Sequence, residues 1–162
     1  MSQVLTSRVF LAIEAAYKRL EGLSFPPYES AGVSVYIGAT GTEGAEYVAV
    51  GTAPSAPVSQ EQRTSNRRNE EIPLRFVVQS DAVHKDSLSA LRRLGQLVAV
   101  VEAAFRDQDT GAPIPLDEVD GLGTDVVLNR ATSLTIDPRV YPLPSGGWGA
   151  QATVDLPITT RI

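Results

Sequence analysis

The sequence predicts an α+β protein in which two α-helices pack on an antiparallel-rich mixed β-sheet. Two segments place apolar residues at helical spacing, and several others alternate between apolar and polar residues, as half-buried strands do. The predicted order of elements is α-β-β-β-α-β-β. A chain of 162 residues fits a single domain, residues 1–162, that is large enough to bury its own core.

Residues 2–21 form the first predicted helix. Val9, Ile13 and Leu20 recur at helical spacing, and Gly22 ends the pattern. The apolar side predicts packing on the sheet of the same chain, and a packing surface for a partner is the alternative.

Two strands are predicted at 33–38 and 46–52. In the first, Val33, Val35 and Ile37 share one face. The linker between the strands is rich in glycine, and it predicts an antiparallel hairpin with a longer than minimal loop.

A third strand is predicted at 70–80, with alternate apolar residues on one face. Those residues are Ile72, Leu74, Phe76 and Val78. Pro73 cannot donate a backbone hydrogen bond, which predicts an edge at that end of the strand.

The second helix, predicted at 85–107, carries the most continuous apolar stripe of the chain. Asp81 or Asp86 is its expected N-cap, and Gly95 is expected to mark close packing. The stripe consists of Leu91, Leu94, Val98, Val101 and Phe105, widened by Leu88, Leu97 and Ala104.

Two further strands are predicted at 126–137 and 148–162, joined by a turn-rich connection. The predicted core draws on both helices and on the strands. It includes Val9, Ile13, Leu20, Val35, Ile37, Phe76, Val78, Leu91, Leu94, Val98, Val101, Val154 and Leu156.

Composition excludes several kinds of chemistry. The chain has no cysteine, so disulfides, cysteine-ligated metals and thiol nucleophiles are excluded. A net charge of −5 disfavours broad binding to nucleic acid or anionic membranes. Since no apolar run approaches the ~20 residues of a membrane helix, and polar residues interrupt the N-terminus, neither a membrane span nor a secretory signal is expected.

No catalytic residue, cofactor or metal site is predicted. His84, the single histidine, lies among polar residues before a helix and is expected to be solvated. The acids Asp117, Glu118, Asp120 and Asp125 do not have the spacing of a calcium loop, and solvation is the preferred interpretation. Glu70 and Glu71 are adjacent in a strand and should face opposite ways.

The glycine-rich segment 38–44 loosely resembles a phosphate loop. It lacks the lysine and the helix that would follow such a loop, and it lies inside the predicted hairpin. We therefore do not expect it to bind phosphate.

Residues 53–69 are predicted to form a flexible polar loop, because large apolar residues almost vanish there. Arg63, Asn66, Arg67 and Arg68 make it a candidate docking loop for a partner. A solvated loop without a partner is an equal alternative, and contact with DNA phosphates is a third.

Several patterns taken together carry a resemblance. An amphipathic N-terminal helix precedes a hairpin, a polar arginine-bearing segment runs into an alternating strand (RRNEEIPLRFVVQS), a long helix follows, and GGWG opens the last strand. This layout, over nearly the whole chain, resembles the tail-terminator or neck-ring proteins of long-tailed bacteriophages.

The resemblance implies a non-enzymatic structural protein of the virion tail or neck, present in the host cytoplasm during assembly. Such a protein forms a homo-oligomeric ring, usually a hexamer, on the last ring of the tail tube. Its partners would be the tail tube protein and the head–tail connector, with DNA passing through the lumen without specific binding. A head-side neck or completion protein, a small-ligand or protein-binding module outside phages, and, last, a metal-dependent hydrolase are the alternatives.

Overall fold

The structure is a computed structural model that describes residues 9–26, 32–38, 46–53, 59–63, 67–107, 109–110 and 135–161. At 59–63, 67–70 and 159–161 the description is limited to the backbone and its pairing. The described elements are the helices α1 (Val9–Glu21) and α2 (Ser87–Phe105) and the strands β1 (Ser34–Ile37), β2 (Glu46–Thr52), β3 (Ser59–Arg63), β4 (Arg67–His84), β5 (Thr135–Pro142) and β6 (Trp148–Arg161).

These strands form one mixed, mostly antiparallel sheet in the order β1-β2-β4-β6-β5, and β3 pairs with β4 beside β2. Both helices contribute to a single core on one face of the sheet. The predicted α+β class, with two helices on an antiparallel-rich mixed sheet, is therefore confirmed. The order of elements differs from the prediction by the added strand β3.

Strands β1 and β2 do not form the predicted antiparallel hairpin. They pair in parallel, with Ser34 opposite Tyr47 and Ile37 opposite Val50. A two-residue turn would have forced the antiparallel direction, but a longer linker leaves the direction open. Sequence proximity alone was therefore an insufficient guide to the pairing.

The central strand β4 has neighbours on both sides along most of its 18 residues. The sequence predicted an edge at the Pro73 end of this strand, but Pro73 lies in a central strand. Its carbonyl accepts a hydrogen bond from the backbone N–H of Ala53 at 2.9 Å, just where β2 has ended and β3 has not begun. The missing donor of the proline thus falls at a break between two neighbouring strands, where no ladder hydrogen bond is lost.

The predicted flexible loop 53–69 is wrong where the structure describes strands within it. Residues 59–63 form β3 and residues 67–69 belong to β4, and the two strands pair as an antiparallel hairpin. Residues 54–58 and 64–66 lie outside the described part of the chain. The polar composition misled the prediction because a hairpin that extends beyond the core needs no apolar face.

The connection predicted between the last two strands is shorter than expected, since β5 continues through Pro138 to Pro142. The turn that follows is closed by a hydrogen bond from the Leu143 N–H to the Gly147 carbonyl at 2.9 Å. Prolines are compatible with a strand at the edge of a sheet, which is where β5 lies. Strand β6 confirms the predicted terminal strand, and residues 126–134 are outside the described part.

Helix α1 buries a side made mainly of alanine. Ala12, Ala15, Ala16 and Leu20 are buried, whereas Val9 and Ile13 are only partly covered. Small side chains let the helix approach the sheet closely. Residues 2–8, the first part of the predicted helix, lie outside the described residues.

Helix α2 begins at the predicted cap Asp86, whose carboxylate accepts a hydrogen bond from the Ser89 backbone N–H at 2.7 Å. Hydrogen bonding to this backbone N–H lowers the pKa of Asp86. The predicted apolar stripe is rotated slightly: Leu97 and Ala90 are buried, while Leu91 is 45% exposed. Gly95 is exposed and has no described atom within 4 Å of a Cβ placed on it, so close packing within the chain is not its role.

The observed core contains most of the predicted core residues, with two exceptions. Leu91 and Ile37, both predicted to be buried, are exposed, whereas Leu97 and Ala90 enter the core. The predicted residues that are buried are Leu20, Phe76, Val78, Leu94, Val98, Val101, Val154 and Leu156, and Val9, Ile13 and Val35 are partly buried against them.

The two helices meet at their C-terminal ends through one side chain. The Arg19 guanidinium lies 5.4 Å from the ring centroid of Phe105 and donates a hydrogen bond to the Ala104 carbonyl at 3.2 Å. Phe105 in turn stacks on Phe76 with ring centroids 4.8 Å apart. A cation near a helix C-terminus also interacts favourably with the helix dipole. Arg19 on α1 and Phe105 on α2, which stacks on Phe76 of β4, together join both helices and the sheet.

Substituting one leucine on each side of α2 tests the rotation of the helix. We expect Leu94→Ala to lower the free energy of unfolding by ~2–5 kcal/mol, because Leu94 is 2% exposed and a cavity would remain. Leu91→Ala, on the exposed side, should cost less than ~0.5 kcal/mol. Urea denaturation of both variants measures the difference, and equal losses would mean that the helix faces are assigned incorrectly.

Candidate functional site

An irregularity at the end of β4 shapes the region where polar side chains converge. The register between β4 and β6 shifts between Ser80 and His84, and Val83 has a φ of +56°. This left-handed conformation is rare for a β-branched residue. In the turn before β6, Gly147 has a φ of +80°, and a Cβ added to it would come within 2.7 Å of the Val83 side chain, so both its conformation and this close approach favour glycine.

Beside this shift, two polar side chains, Ser80 and His84, are buried on the helix side of the sheet. Asp81 is also buried, but it lies on the opposite face, where it contacts Gln79 and Tyr141. Bulges of this kind commonly redirect side chains.

A buried ionic cluster lies between this bulge, β2 and α2. Arg93 binds Glu46 with both ends of its guanidinium: Nε donates to Oε2 and Nη2 donates to Oε1, each at 2.7 Å. Glu46 opens β2 directly opposite Ser80 of β4. The Ser80 hydroxyl donates to Glu46 Oε2 at 2.7 Å and lies 2.8 Å from His84 Nε2. We call Glu46, Ser80, His84 and Arg93 the buried cluster.

The hydrogen bonds determine which imidazole nitrogen of His84 carries a proton. The Ser80 hydroxyl has a single hydrogen, and a carboxylate can only accept. Because this hydrogen points to Glu46, the hydroxyl oxygen must accept from His84 Nε2–H. The imidazole therefore acts as a donor toward the serine, opposite to the direction that a general base needs to activate a nucleophile.

His84 is 1% exposed and hydrogen-bonded, so the predicted solvated histidine is wrong. Its polar sequence neighbours suggested exposure, but the bulge turns it toward the core beside the paired charges of Arg93 and Glu46. A charge pair can be buried only if its hydrogen bonds are satisfied, and the bidentate geometry meets that condition. In this arrangement the cluster attaches α2 to β2 and β4.

A second polar chain runs across the strands on the opposite face. The Tyr47 hydroxyl donates to Gln79 at 2.5 Å, the Gln79 amide donates to Asp81, and the Tyr141 hydroxyl donates to Asp81 at 2.5 Å. Partial burial, followed by the hydrogen bond to the Asp81 carboxylate, raises the pKa of Tyr141 well above its ordinary value. Tyr141 therefore stays protonated, and the chain joins β2, β4 and β5.

On the same face, Arg75 and Asp155 lie directly opposite each other on β4 and β6. The guanidinium donates to both carboxylate oxygens, at 2.6 and 2.9 Å, and this hydrogen bonding raises the pKa of Arg75. Cross-strand pairs of opposite charge favour one register over its neighbours. The pair is partly exposed, so we assign it to strand alignment.

The structure places the backbone of three of the four predicted docking residues at the same end of the β3–β4 hairpin. Arg63 is opposite Arg67 in the β3–β4 hairpin, Arg68 is opposite Gln62, and Asn66 is outside the described residues. The acids at 117–125 are outside them as well. Within the described residues, no group of three or more histidines and acids is placed to hold a metal ion.

The depressions lined by described residues include two with a largely apolar lining. One, of about 460 Å³, lies between the end of α1 and α2, where Leu23, Ala99 and Ala103 line it and Gln96 is its polar side chain. The other, of about 400 Å³, lies on the sheet face opposite the helices, beside Ala49. Binding sites for small ligands combine an apolar lining with several converging polar groups. The first lining has one polar side chain, whereas the second also contains Thr52, Arg75 and Thr153, of which Arg75 is already bound to Asp155. No helix in the described part is long and apolar enough to span a membrane.

Sequence reasoning missed Glu46, Ser80 and Arg93. For Glu46 and Arg93, the signal in the sequence was a charged residue within an apolar pattern. Arg93 lies between Ala90 and Leu97 on the buried side of α2, and Glu46 opens an apolar strand. Each charge alone could have been solvated. The pairing became evident only when the fold brought the two strands and the helix together.

The fold and the buried cluster define the class: an α+β protein with two helices on one face of a mixed sheet, held by an internal ion pair. In comparison with known proteins, no family model matches the chain, and no curated protein matches it significantly.

Removing one partner of the ion pair tests the structural role of the buried cluster. We expect Arg93→Met to lower the free energy of unfolding by ~3–5 kcal/mol, because the Glu46 carboxylate would stay buried without its cation. The double variant Glu46→Met, Arg93→Met should recover a large part of this loss, since no charge is left unpaired.

Lys18→Met is the matched control, because it breaks an exposed pair with Glu14 and should cost less than ~0.5 kcal/mol. Urea denaturation gives all three values. A loss of similar size in the single and double variants would show that side-chain packing, and not the buried charge, dominates.

Proposed function

We propose that this chain is a structural virion protein: a tail terminator that forms a ring on the tail tube and joins it to the head connector. The supporting observation is the layout along the chain, in which an amphipathic helix, a sheet, a second helix and a final hairpin follow one another. In the structure, the two helices of this layout lie on one face of the sheet. No described helix covers the other face, which leaves that surface for contacts.

The buried cluster agrees with such a role. A subunit of a ring must keep its shape while neighbours bind on different sides, since head-to-tail contacts join two different patches of the same chain. The ion pair and the two cross-strand polar contacts connect α2, β2, β4, β5 and β6. A net charge of −5 also suits a lumen that lets DNA pass without holding its phosphates.

The partners in this proposal are other copies of the chain, usually six in the ring, the tail tube protein and the head–tail connector. The location is the tail or neck of the virion, with the host cytoplasm as the place of assembly. A head-side neck protein is the nearest alternative. A binding module outside phages is the other, and the groove between α1 and α2 is the surface it would use.

Electron microscopy of purified particles tests the proposal. We expect the chain in virions, as a ring of about six copies at the head-proximal end of the tail tube. Mass spectrometry of the particles measures its presence, and class averages of labelled chain give its position. A position on the head side would support the neck alternative, and absence from the particles would refute both.

The arginines of the β3–β4 hairpin give a second test. Replacing Arg63, Arg67 and Arg68 by serine should reduce binding to the tube or connector, because the docking charges are lost. The fold should persist, since these residues lie at the end of the hairpin away from the described core. Replacing the exposed Arg92 and Arg139 is the control, and equal binding by all variants would remove the docking role of the hairpin.

A further inference from the structure

Strands β1 and β5, at the two ends of the β1-β2-β4-β6-β5 order, differ in the backbone groups that no described residue pairs with. Residues of an antiparallel strand point their N–H and C=O groups alternately to one neighbour and to the other. The Pro73 carbonyl points to the β2 side, where it accepts from Ala53. The registers carry this alternation across β4 and β6, so the even-numbered residues of β5 point away from β6. Two of them are Pro138 and Pro142.

Among the described residues, the outer edge of β5 is unpaired, and its prolines make it poor in donors. Proline has no N–H, which leaves Ile136 and Val140 as the outward donors of this strand. Asp137 and Arg139 add exposed charges beside them. Prolines and charges are the usual means by which proteins prevent a further strand from pairing with an edge.

The edge at β1 has none of these features. The Gly38 N–H donates to the Val50 carbonyl at 2.9 Å, so even-numbered residues face β2 and the backbone groups of Val35 and Ile37 point outward. Strand β1 contains no proline and no charge. Among the described residues, no strand pairs with its outer side.

Apolar side chains beside this edge are also uncovered. Ile37, on the helix side of the sheet, is 58% exposed, and Tyr36, on the other side, is 39% exposed. Phe10 is exposed on α1, the helix that packs on β1 and β2. A strand added to β1 would cover Ile37 and Tyr36 and satisfy the outward backbone groups at the same time.

We propose that β1 is a docking edge for a second copy of this chain, with the two β1 strands antiparallel across a two-fold axis. The outward residues determine the register. If Val35 pairs with Ile37 of the second copy and Ile37 with its Val35, four backbone hydrogen bonds form. Tyr36 then lies opposite Tyr36 of the second copy, in a non-hydrogen-bonded pair where side chains approach most closely.

A second copy fits this edge better than an unrelated strand. Strand β1 itself has the composition that an added strand needs: β-favouring, uncharged and without proline. Two copies meet without repulsion between charges on the paired strands. Because β5 is blocked, the other end of the β1-β2-β4-β6-β5 order does not extend the pair into a fibre. The inference concerns the free chain and does not rest on the proposed ring, whose head-to-tail contacts are different.

A single cysteine tests the register, because the natural chain contains none. In Tyr36→Cys the two sulfurs should face each other across the axis, and mild oxidation should give a disulfide-linked dimer. Ser34→Cys is the matched control on the same strand. In the proposed register Ser34 lies opposite Gly38 of the second copy, which separates the two cysteines by roughly 13 Å.

Crosslinking of Tyr36→Cys, with little of Ser34→Cys, supports the proposal. Equal crosslinking of both, or none of Tyr36→Cys, overturns the register. Both variants should keep the unfolding midpoint of the natural chain to within a few degrees, which thermal denaturation verifies.

Sedimentation of the free chain tests the dimer without a crosslink. We expect a mass of twice 17.3 kDa, falling to one chain on dilution. Ile37→Lys should weaken the dimer at least about tenfold, because the two lysines would be diagonal neighbours on the same face of the paired strands, and Ile37→Val should leave it unchanged. A monomer at all concentrations, or a dimer unaffected by Ile37→Lys, would refute the proposal.

Discussion

The pairing of β4 on both sides is the constraint on which the rest of the structure depends. An 18-residue strand with neighbours on both edges cannot shift by one residue without turning its whole apolar set to the wrong face. Ile72, Leu74, Phe76 and Val78 are consequently all buried under the helices. The Arg75–Asp155 pair on the opposite face favours the same register, so both faces of the strand agree on one alignment.

Hydrophobic contacts alone would allow α2 to rotate slightly over this sheet, because apolar packing has little directional preference. The bidentate bond between Arg93 and Glu46 does have a direction, and it fits one rotation of the helix. This rotation buries Leu97 and exposes Leu91. The price is the desolvation of two charges, which the hydrogen bond from Ser80 partly offsets.

The proposed virion role and the proposed edge-to-edge pair make use of different parts of this scaffold. A head-to-tail ring requires two unlike patches, whereas an edge that pairs with itself requires a two-fold axis. The sheet provides for both, since the strands at the two ends of the β1-β2-β4-β6-β5 order are unlike: β5 carries prolines at its outward positions and β1 does not. Both proposals depend on a subunit that does not deform, and the polar contacts between strands and helix provide that rigidity.

The sequence by itself determined the class of fold, both helices and the alternation of β4 and β6, and it limited the N-cap of α2 to Asp81 or Asp86, because each depends on spacing or on residues close together in the chain. The tertiary structure decided the rest. The parallel pairing of β1 and β2, the hairpin of β3 and the inward turn of His84 each depend on partners distant in sequence. A buried ion pair between Glu46 and Arg93, 47 positions apart, leaves no periodic pattern, since each residue alone resembles an ordinary solvated charge.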